Sequence, residues 1–109
     1  MPNQSDALDR MFQALADPSR RAVVQRLTRG PASVSELAKP LAMALPSVLQ
    51  HLAMLEASGL IRSEKIGRVR TCSLEPKALR MVEHWVQARR AAWERRLDRL
   101  GAYLETEED

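Results

Sequence analysis

A chain of 109 residues has room for one compact hydrophobic core, so a single fold must carry the whole function. Aromatic residues make up 4% and hydrophobic residues 45% of the chain, which favours a small helix-packed core over a large sheet. The formal charge is +3, yet 17 basic residues face 10 acidic ones once the four acids among the last five residues are set aside. This excess suits a polyanionic partner, although a plain soluble basic surface has the same composition.

Cysteine usage and the N-terminal sequence bear on the compartment. Cys72 is the single cysteine, which excludes a disulfide framework within the chain and fits a reducing environment. The first six residues lack the cationic start and apolar run of a signal peptide, and no stretch reaches the ~18 apolar residues of a membrane span. We therefore expect a cytoplasmic protein with no membrane association.

The first two helices are predicted from apolar spacing and from a helix cap between them. One short amphipathic helix carries an apolar stripe of Leu8, Met11, Phe12 and Leu15. Asp17-Pro18-Ser19 has the form of a cap followed by a first-turn proline, a position where the missing N–H of proline costs nothing. The second helix begins there and ends before Gly30-Pro31.

Two short helices joined by a turn are predicted in the middle of the chain. Ser33 and Glu36 have the spacing of a capping box, which begins the third helix, and Pro40 ends it. The fourth helix begins at Leu45-Pro46 and ends at Gly59. Its inner face carries Val48, Leu52 and Leu55, and its outer face carries Ser47, Leu49, Gln50 and Ala53. This arrangement is typical of a helix-turn-helix, whose second helix can enter the major groove of DNA.

A basic hairpin is predicted after the helix-turn-helix. The segment from Leu60 to Leu74 changes to strand periodicity, and Gly67 near its middle is the natural turn residue. Its arms carry four basic residues and one acidic residue, Glu64; the basic residues are Arg62, Lys65, Arg68 and Arg70. A hairpin of this charge beside a helix-turn-helix is typical of a wing.

A long last helix is predicted after Glu75-Pro76. Its apolar positions keep a three-four spacing and are Leu79, Val82, Val86, Trp93, Leu97, Leu100 and Leu104. A helix this long projects beyond so small a core, so its apolar face needs a partner, and a second copy of the chain is the economical one. We expect residues 1–104 to form one DNA-binding and dimerisation domain, and residues 105–109 to be a disordered acidic tail.

Several sequence words occur in one order and at compact spacing. They are Ala14-Leu15-Ala16-Asp17-Pro18-Ser19-Arg20-Arg21, Val34-Ser35-Glu36-Leu37-Ala38, His51-Leu52-Ala53-Met54-Leu55-Glu56-Ala57-Ser58-Gly59-Leu60 and Gly67-Arg68-Val69-Arg70. Together they resemble the ArsR family of bacterial repressors over roughly residues 6–104. The resemblance implies a mainly α-helical winged helix-turn-helix, with about five helices and a two-stranded wing. It also implies a homodimer held by its first and last helices.

Many members of that family sense metals, and the resemblance shows where their ligands would lie. The cysteine positions of the third helix are Ala38 and Pro40 here, and the last helix offers His84 beside Glu83 with no second histidine downstream. Zinc needs at least three protein ligands, so the chain resembles the branch of the family that lacks them. We expect no metal and no cofactor.

Candidate site residues follow from the predicted elements and the resemblance. For DNA base edges the candidates are Ser47, Leu49, Gln50 and His51, where Gln50 suits adenine and Leu49 a thymine methyl group. For the DNA backbone they are Arg20, Arg21, Lys65, Arg68 and Arg70. For dimerisation they are Leu8, Met11, Phe12, Leu15, Trp85, Val86, Trp93, Leu97 and Leu100. At Leu49, Gln50 and Ala53 the chain departs from the Ser or Thr, Lys and Arg common in the family.

Structural alternatives stand beside these roles. Charge on the hairpin also prevents edge-to-edge aggregation, and Arg20 and Arg21 equally suit solvation of the second helix. His51 suits packing as well as a DNA contact. Cys72 is better explained as a packed thiol than as a redox sensor, and Trp85 and Trp93 as core residues than as the lining of a ligand pocket.

The predicted function is a double-stranded DNA-binding transcription regulator, a repressor that binds a palindromic operator as a homodimer. A protein-interaction module without specific DNA reading is the alternative, motivated by the unusual fourth helix. A third possibility is a DNA-binding dimer that binds an organic effector at the dimer interface. Catalysis is not expected, because the chain has no nucleophile elbow, no phosphate-binding glycine loop, one cysteine and two histidines.

Overall fold

The computed structural model describes the backbone of residues 4–107 and the side chains of residues 6–106. The elements in chain order are α1 Gln4–Leu15, α2 Pro18–Leu27, β1 Ala32–Ser33, α3 Val34–Ala38, a 3-10 helix at Lys39–Leu41, α4 Leu45–Ala57, β2 Ile61–Ile66, β3 Val69–Leu74 and α5 Pro76–Glu107. The chain divides into two compact units, one up to Leu79 and one from Arg80 onward. The mainly helical class with a small sheet is therefore confirmed.

Helix α2 begins at the cap that the sequence predicts. The Asp17 carboxylate accepts hydrogen bonds from the backbone N–H groups of Ser19 at 2.8 Å and Arg20 at 3.1 Å. Pro18 occupies the first turn. These bonds satisfy N–H groups that have no partner within the helix, so Asp17 fixes where α2 starts.

The Asp17 cap predicts a specific response to acid. The backbone N–H of Arg20, aided by that of Ser19, holds the pKa of Asp17 below its usual 3.8. A carboxylate whose pKa is lowered in the folded state stabilises the fold above its unfolded pKa and loses that contribution as the pH falls through the folded pKa. Asp17→Asn keeps an oxygen acceptor without the charge. We expect its midpoint of thermal unfolding to lie below that of the wild type near neutral pH.

Circular dichroism melts over a pH series test this expectation. The difference in midpoint between wild type and Asp17→Asn should shrink as the pH falls below about 4. Asp17→Ala serves as the control, because it removes the acceptor as well and should remain less stable than the wild type under acid conditions. A wild-type advantage over Asp17→Asn that persists unchanged in acid would contradict the assignment.

The core of the first unit lies between the helices and the sheet. Its largest fully buried side chains are Val23, Leu37, Val48, Leu55, Leu60 and Cys72. The capping box before α3 forms as predicted, because the Ser33 hydroxyl accepts from the Glu36 N–H and the Glu36 carboxylate accepts from the Ser33 N–H, both at 3.2 Å. This capping box fixes the start of α3, the short helix that precedes α4.

The wing belongs to a three-stranded antiparallel sheet with the order β1-β3-β2. Strands β2 and β3 form the predicted hairpin, from the pair Ile61 and Leu74 to the pair Ile66 and Val69 at the turn, where Gly67 has φ +64°. Strand β1 places Ala32 opposite Cys72. The prediction of a two-stranded wing was therefore incomplete, because a strand of two residues is too short to show alternation in the sequence.

Helix α5 runs for 32 residues, from Pro76 to Glu107. It includes positions 105–107 of the predicted acidic tail, while positions 108–109 lie outside the described residues. No helix within residues 4–107 combines the length and the apolar character that crossing a membrane requires.

Candidate nucleic-acid interface

Helix α4 turns one face to the core and another to solvent. Val48, Leu52 and Leu55 are buried, because they recur at three- and four-residue spacing on the inner face. Three of the four predicted base-reading residues, Ser47, Leu49 and Gln50, are exposed, whereas the fourth, His51, is half-buried. The helix thus presents a short surface of mixed polar and apolar side chains to solvent.

The wing is exposed along its basic arms. Lys65, Arg68 and Arg70 are all exposed, and so are the apolar side chains of Ile66 and Val69 at the turn. The pairing of Ile66 with Val69 places Arg68 in the two-residue turn. Three of the five predicted backbone-binding residues therefore lie together on one projection.

A groove of about 340 Å³ joins the wing to the two central helices. It is lined by Ser33, Val34, Ser35, Leu45, Leu49, Arg68, Val69 and Arg70. The lining combines hydroxyl groups at the start of α3, apolar side chains of α4 and guanidinium groups of the wing. The fold therefore brings the exposed face of α4 and the basic wing to one continuous surface.

A chain of hydrogen bonds ties the wing to the end of α4. The Arg70 Nη1 donates to the Ser63 hydroxyl at 2.9 Å, and that hydroxyl donates to the Glu56 carboxylate at 2.7 Å. Sequence reasoning missed this link, because it joins three elements and has no periodic signature. It holds one arm of the wing against α4.

Arg20 and Arg21 lie near the start of α2, and the side chains of both donate hydrogen bonds within the protein. Arg21 Nη1 donates to the carbonyl oxygen of Leu15 at 2.8 Å. Arg20 donates from Nε to the carbonyl oxygen of Ala14 at 2.7 Å, and its Nη1 lies 3.1 Å from the His51 Nδ1. These guanidinium groups satisfy the last carbonyls of α1, which have no partner within that helix.

Cys72 is buried in β3, with 1% of its surface exposed. Burial raises the pKa of its thiol above the usual 9.0, the nearby Glu56 carboxylate adds to the rise, and Arg70 opposes it. A thiol that stays protonated and covered is a poor nucleophile. The environment favours the interpretation of Cys72 as a packed side chain.

The predicted dimerisation residues differ in exposure. On α1, Met11 is buried, because it shares a face with the buried Ala14, whereas Phe12 is 39% exposed and Leu8 and Leu15 are half-buried. On α5 the predicted residues are exposed, and they are Trp85, Val86, Trp93, Leu97 and Leu100. Further exposed apolar side chains continue that surface at Tyr103 and Leu104. Helix α5 thus carries an extended apolar surface, with the Arg89 guanidinium 4.7 Å from the ring centre of Trp85.

The part of the chain that the structure describes contains no cluster of metal-binding side chains. No group of three or more His, Cys, Asp or Glu side chains in that part of the chain is arranged to hold a metal ion. His84 lies on the exposed part of α5.

Known proteins are similar in sequence to part of this chain. A family model described as a helix-turn-helix domain matches residues 15–64. The HTH-type transcriptional regulator Rv2034 of Mycobacterium tuberculosis is 45% identical over 71 residues, which cover 65% of this chain and 66% of that protein. The HTH-type transcriptional repressor SmtB of the same species is 40% identical over 63 residues, which cover 58% of this chain and 47% of that protein. The chain thus spans between about half and two thirds of these curated relatives.

A solved structure matches over a longer part of the chain. The crystal structure of the ArsR family transcriptional regulator RHA00566 is 54% identical, with a TM-score of 0.78. The match covers 86% of this chain and 97% of that one. Similarity at this level extends beyond the helix-turn-helix to nearly the whole solved structure.

Proposed function

Because the chain belongs to the ArsR family of transcriptional regulators, we propose that it is a sequence-specific repressor that binds double-stranded DNA as a homodimer in the cytoplasm. The family resemblance predicted from the sequence is thereby confirmed. So is the expectation that the chain is not an enzyme, since transcriptional regulators are a non-enzymatic class. The name of the relative SmtB, a repressor, supports repression over activation.

One observation carries the DNA-binding proposal: exposed α4 and the basic wing line the same groove. In the proposed complex α4 enters the major groove, where Ser47 and Gln50 meet base edges and Leu49 meets a thymine methyl group. Lys65, Arg68 and Arg70 contact phosphates and set the register of the protein on the duplex.

The homodimer proposal rests on α5. An apolar surface that extends over several turns of an exposed helix is unfavourable in water and is covered when two chains associate. Two copies related by a two-fold axis would present two α4 helices to successive major grooves. The operator would then be a palindrome with half-sites roughly 10 base pairs apart, and repression would follow from exclusion of polymerase.

Selection of bound sequences from random duplexes tests the proposal. We expect enrichment of an inverted repeat whose half-site centres lie about one helical turn apart. The matched variant Gln50→Ala should lose preference at one position of each half-site while retaining affinity for unselected DNA. Failure of the wild type to enrich any sequence would contradict sequence-specific binding.

A protein-interaction module is the second candidate, and exposed apolar side chains on α4 favour it. Leu45, Leu49 and Met54 are each about half exposed, with values of 54%, 46% and 44%. A surface of this kind also suits a protein partner. The two functions give different results in the selection, because a module of this type would retain weak, salt-sensitive binding without an enriched repeat.

A further inference from the structure

Arg20 connects three helices through one side chain. It stands in the first turn of α2, and its Nε and Nη2 donate to the last turn of α1, at the carbonyl oxygens of Ala14, 2.7 Å away, and Gln13, 3.3 Å away. Its Nη1 reaches α4, 3.1 Å from the His51 Nδ1 and 3.4 Å from the Met54 sulfur. Since a guanidinium group holds its donors in a rigid plane, these contacts fix α4 relative to α1.

The same contact favours one tautomer of the His51 ring. A guanidinium group has donors and no acceptor, so the Nδ1 of His51 must accept this hydrogen bond. In the ring tautomer that accepts this bond at Nδ1, the proton lies on Nε2. Its ring is held in one orientation beside Gln50, whose exposed side chain belongs to the proposed base-reading surface.

We propose that Arg20 is a positioning residue of the DNA-binding surface, which holds α4 through His51 and does not itself neutralise a phosphate. This inference rests on the proposed function. A phosphate-binding residue and a positioning residue differ in two measurable ways. A phosphate-binding residue contributes about 0.9 per contact to the slope of log K against log salt concentration, and lysine can replace it. A positioning residue does not contribute to that slope, and lysine cannot replace it.

DNA titrations of Arg20→Lys and Arg20→Gln against the selected operator and a random duplex separate these roles. We expect both variants to bind the operator about tenfold more weakly, with a reduced preference over random DNA and an unchanged salt dependence. Lysine keeps the charge but cannot reach α1 and His51 together, so it should not rescue binding. Rescue by lysine, or a loss of salt dependence in Arg20→Gln, would assign Arg20 to a phosphate and overturn the proposal.

Arg21→Gln is the matched control. Arg21 is the neighbour of Arg20 on α2, and in the wild type its guanidinium group donates to the Leu15 carbonyl on α1. The control removes an equal charge, and we expect it to leave the preference for the operator unchanged. A loss of preference equal to that of Arg20→Gln would show that a general weakening of the α1–α2 corner is responsible.

The tautomer of His51 gives a readout that requires neither DNA nor a stable variant. In ¹⁵N NMR spectra of the wild-type protein, the His51 Nδ1 should be unprotonated and Nε2 protonated. Arg20→Gln should change the ratio of the two His51 tautomers, whereas Arg21→Gln should not. A wild-type His51 protonated on Nδ1 would overturn the inference even if the variants fail to fold. A wild type that selects no operator would contradict the proposed function while leaving the tautomer result intact.

Discussion

The double substitution Leu97→Glu and Leu100→Glu is expected to convert the proposed dimer into a monomer and to lower operator affinity by roughly 10²–10⁴-fold. Both side chains lie on the exposed apolar surface of α5, with 46% and 54% of their area accessible in the single chain. Glutamates there would bury unpaired carboxylates in an interface between two copies. Loss of the dimer makes each half-site contact independent. Size-exclusion chromatography with light scattering measures the mass, and fluorescence anisotropy measures operator affinity.

His84→Glu and Gln87→Glu form the matched control for the dimer variant. They also add two carboxylates three residues apart to α5, on a different face of the helix, and both positions are exposed. We expect this control to remain dimeric and to bind the full operator with an affinity that changes little. A Leu97→Glu, Leu100→Glu protein that stays dimeric at the same concentration would disprove the α5 interface.

Sequence reasoning succeeded where the determining contacts are local. The Asp17 cap and the Ser33–Glu36 capping box each act within three residues, so their spacing shows in the sequence. Gly67 marks a turn that needs φ above zero, and the structure gives +64° there. The apolar periodicity of α4 likewise predicted its buried face, because one period repeats over the whole helix.

Contacts between residues that are distant in the chain could not be predicted from the sequence. Arg20 and His51 are 31 positions apart, and no periodicity indicates that a guanidinium group in α2 would reach the ring of a histidine in α4. Met11 fits the apolar spacing of α1 whether it faces the core or a second copy of the chain. Only the fold shows that the Met11 side chain is buried in the core. The link between Glu56 and the wing through Ser63 depends on the position of the sheet relative to α4, a tertiary property.

The wing variant Arg68→Ala, Arg70→Ala is expected to weaken binding to the operator and to random DNA by a similar factor, roughly two orders of magnitude at moderate salt. A dimer has two wings and loses four guanidinium groups. If each contacts one phosphate, the slope of log K against log salt concentration should fall by about 3.6, or about 0.9 for each contact. Because phosphates carry no base identity, the preference for the operator over random DNA should remain almost unchanged. Anisotropy titrations on both duplexes over a salt series measure these quantities.

The pair Arg80→Ala and Arg95→Ala controls for net charge, because both residues are exposed on the α5 face of His84 and Gln87, away from the apolar surface, and the substitution removes the same number of positive charges. A general charge effect would reduce the salt slope equally in both variants, whereas phosphate contacts by the wing would reduce it in the wing variant alone. Arg70 also donates to Ser63, so Ser63→Ala separates its two roles. That variant removes the link to α4 while keeping the charge, and it should leave the salt slope at its wild-type value. A wing variant whose slope equals that of the wild type would place the phosphate contacts elsewhere on the chain.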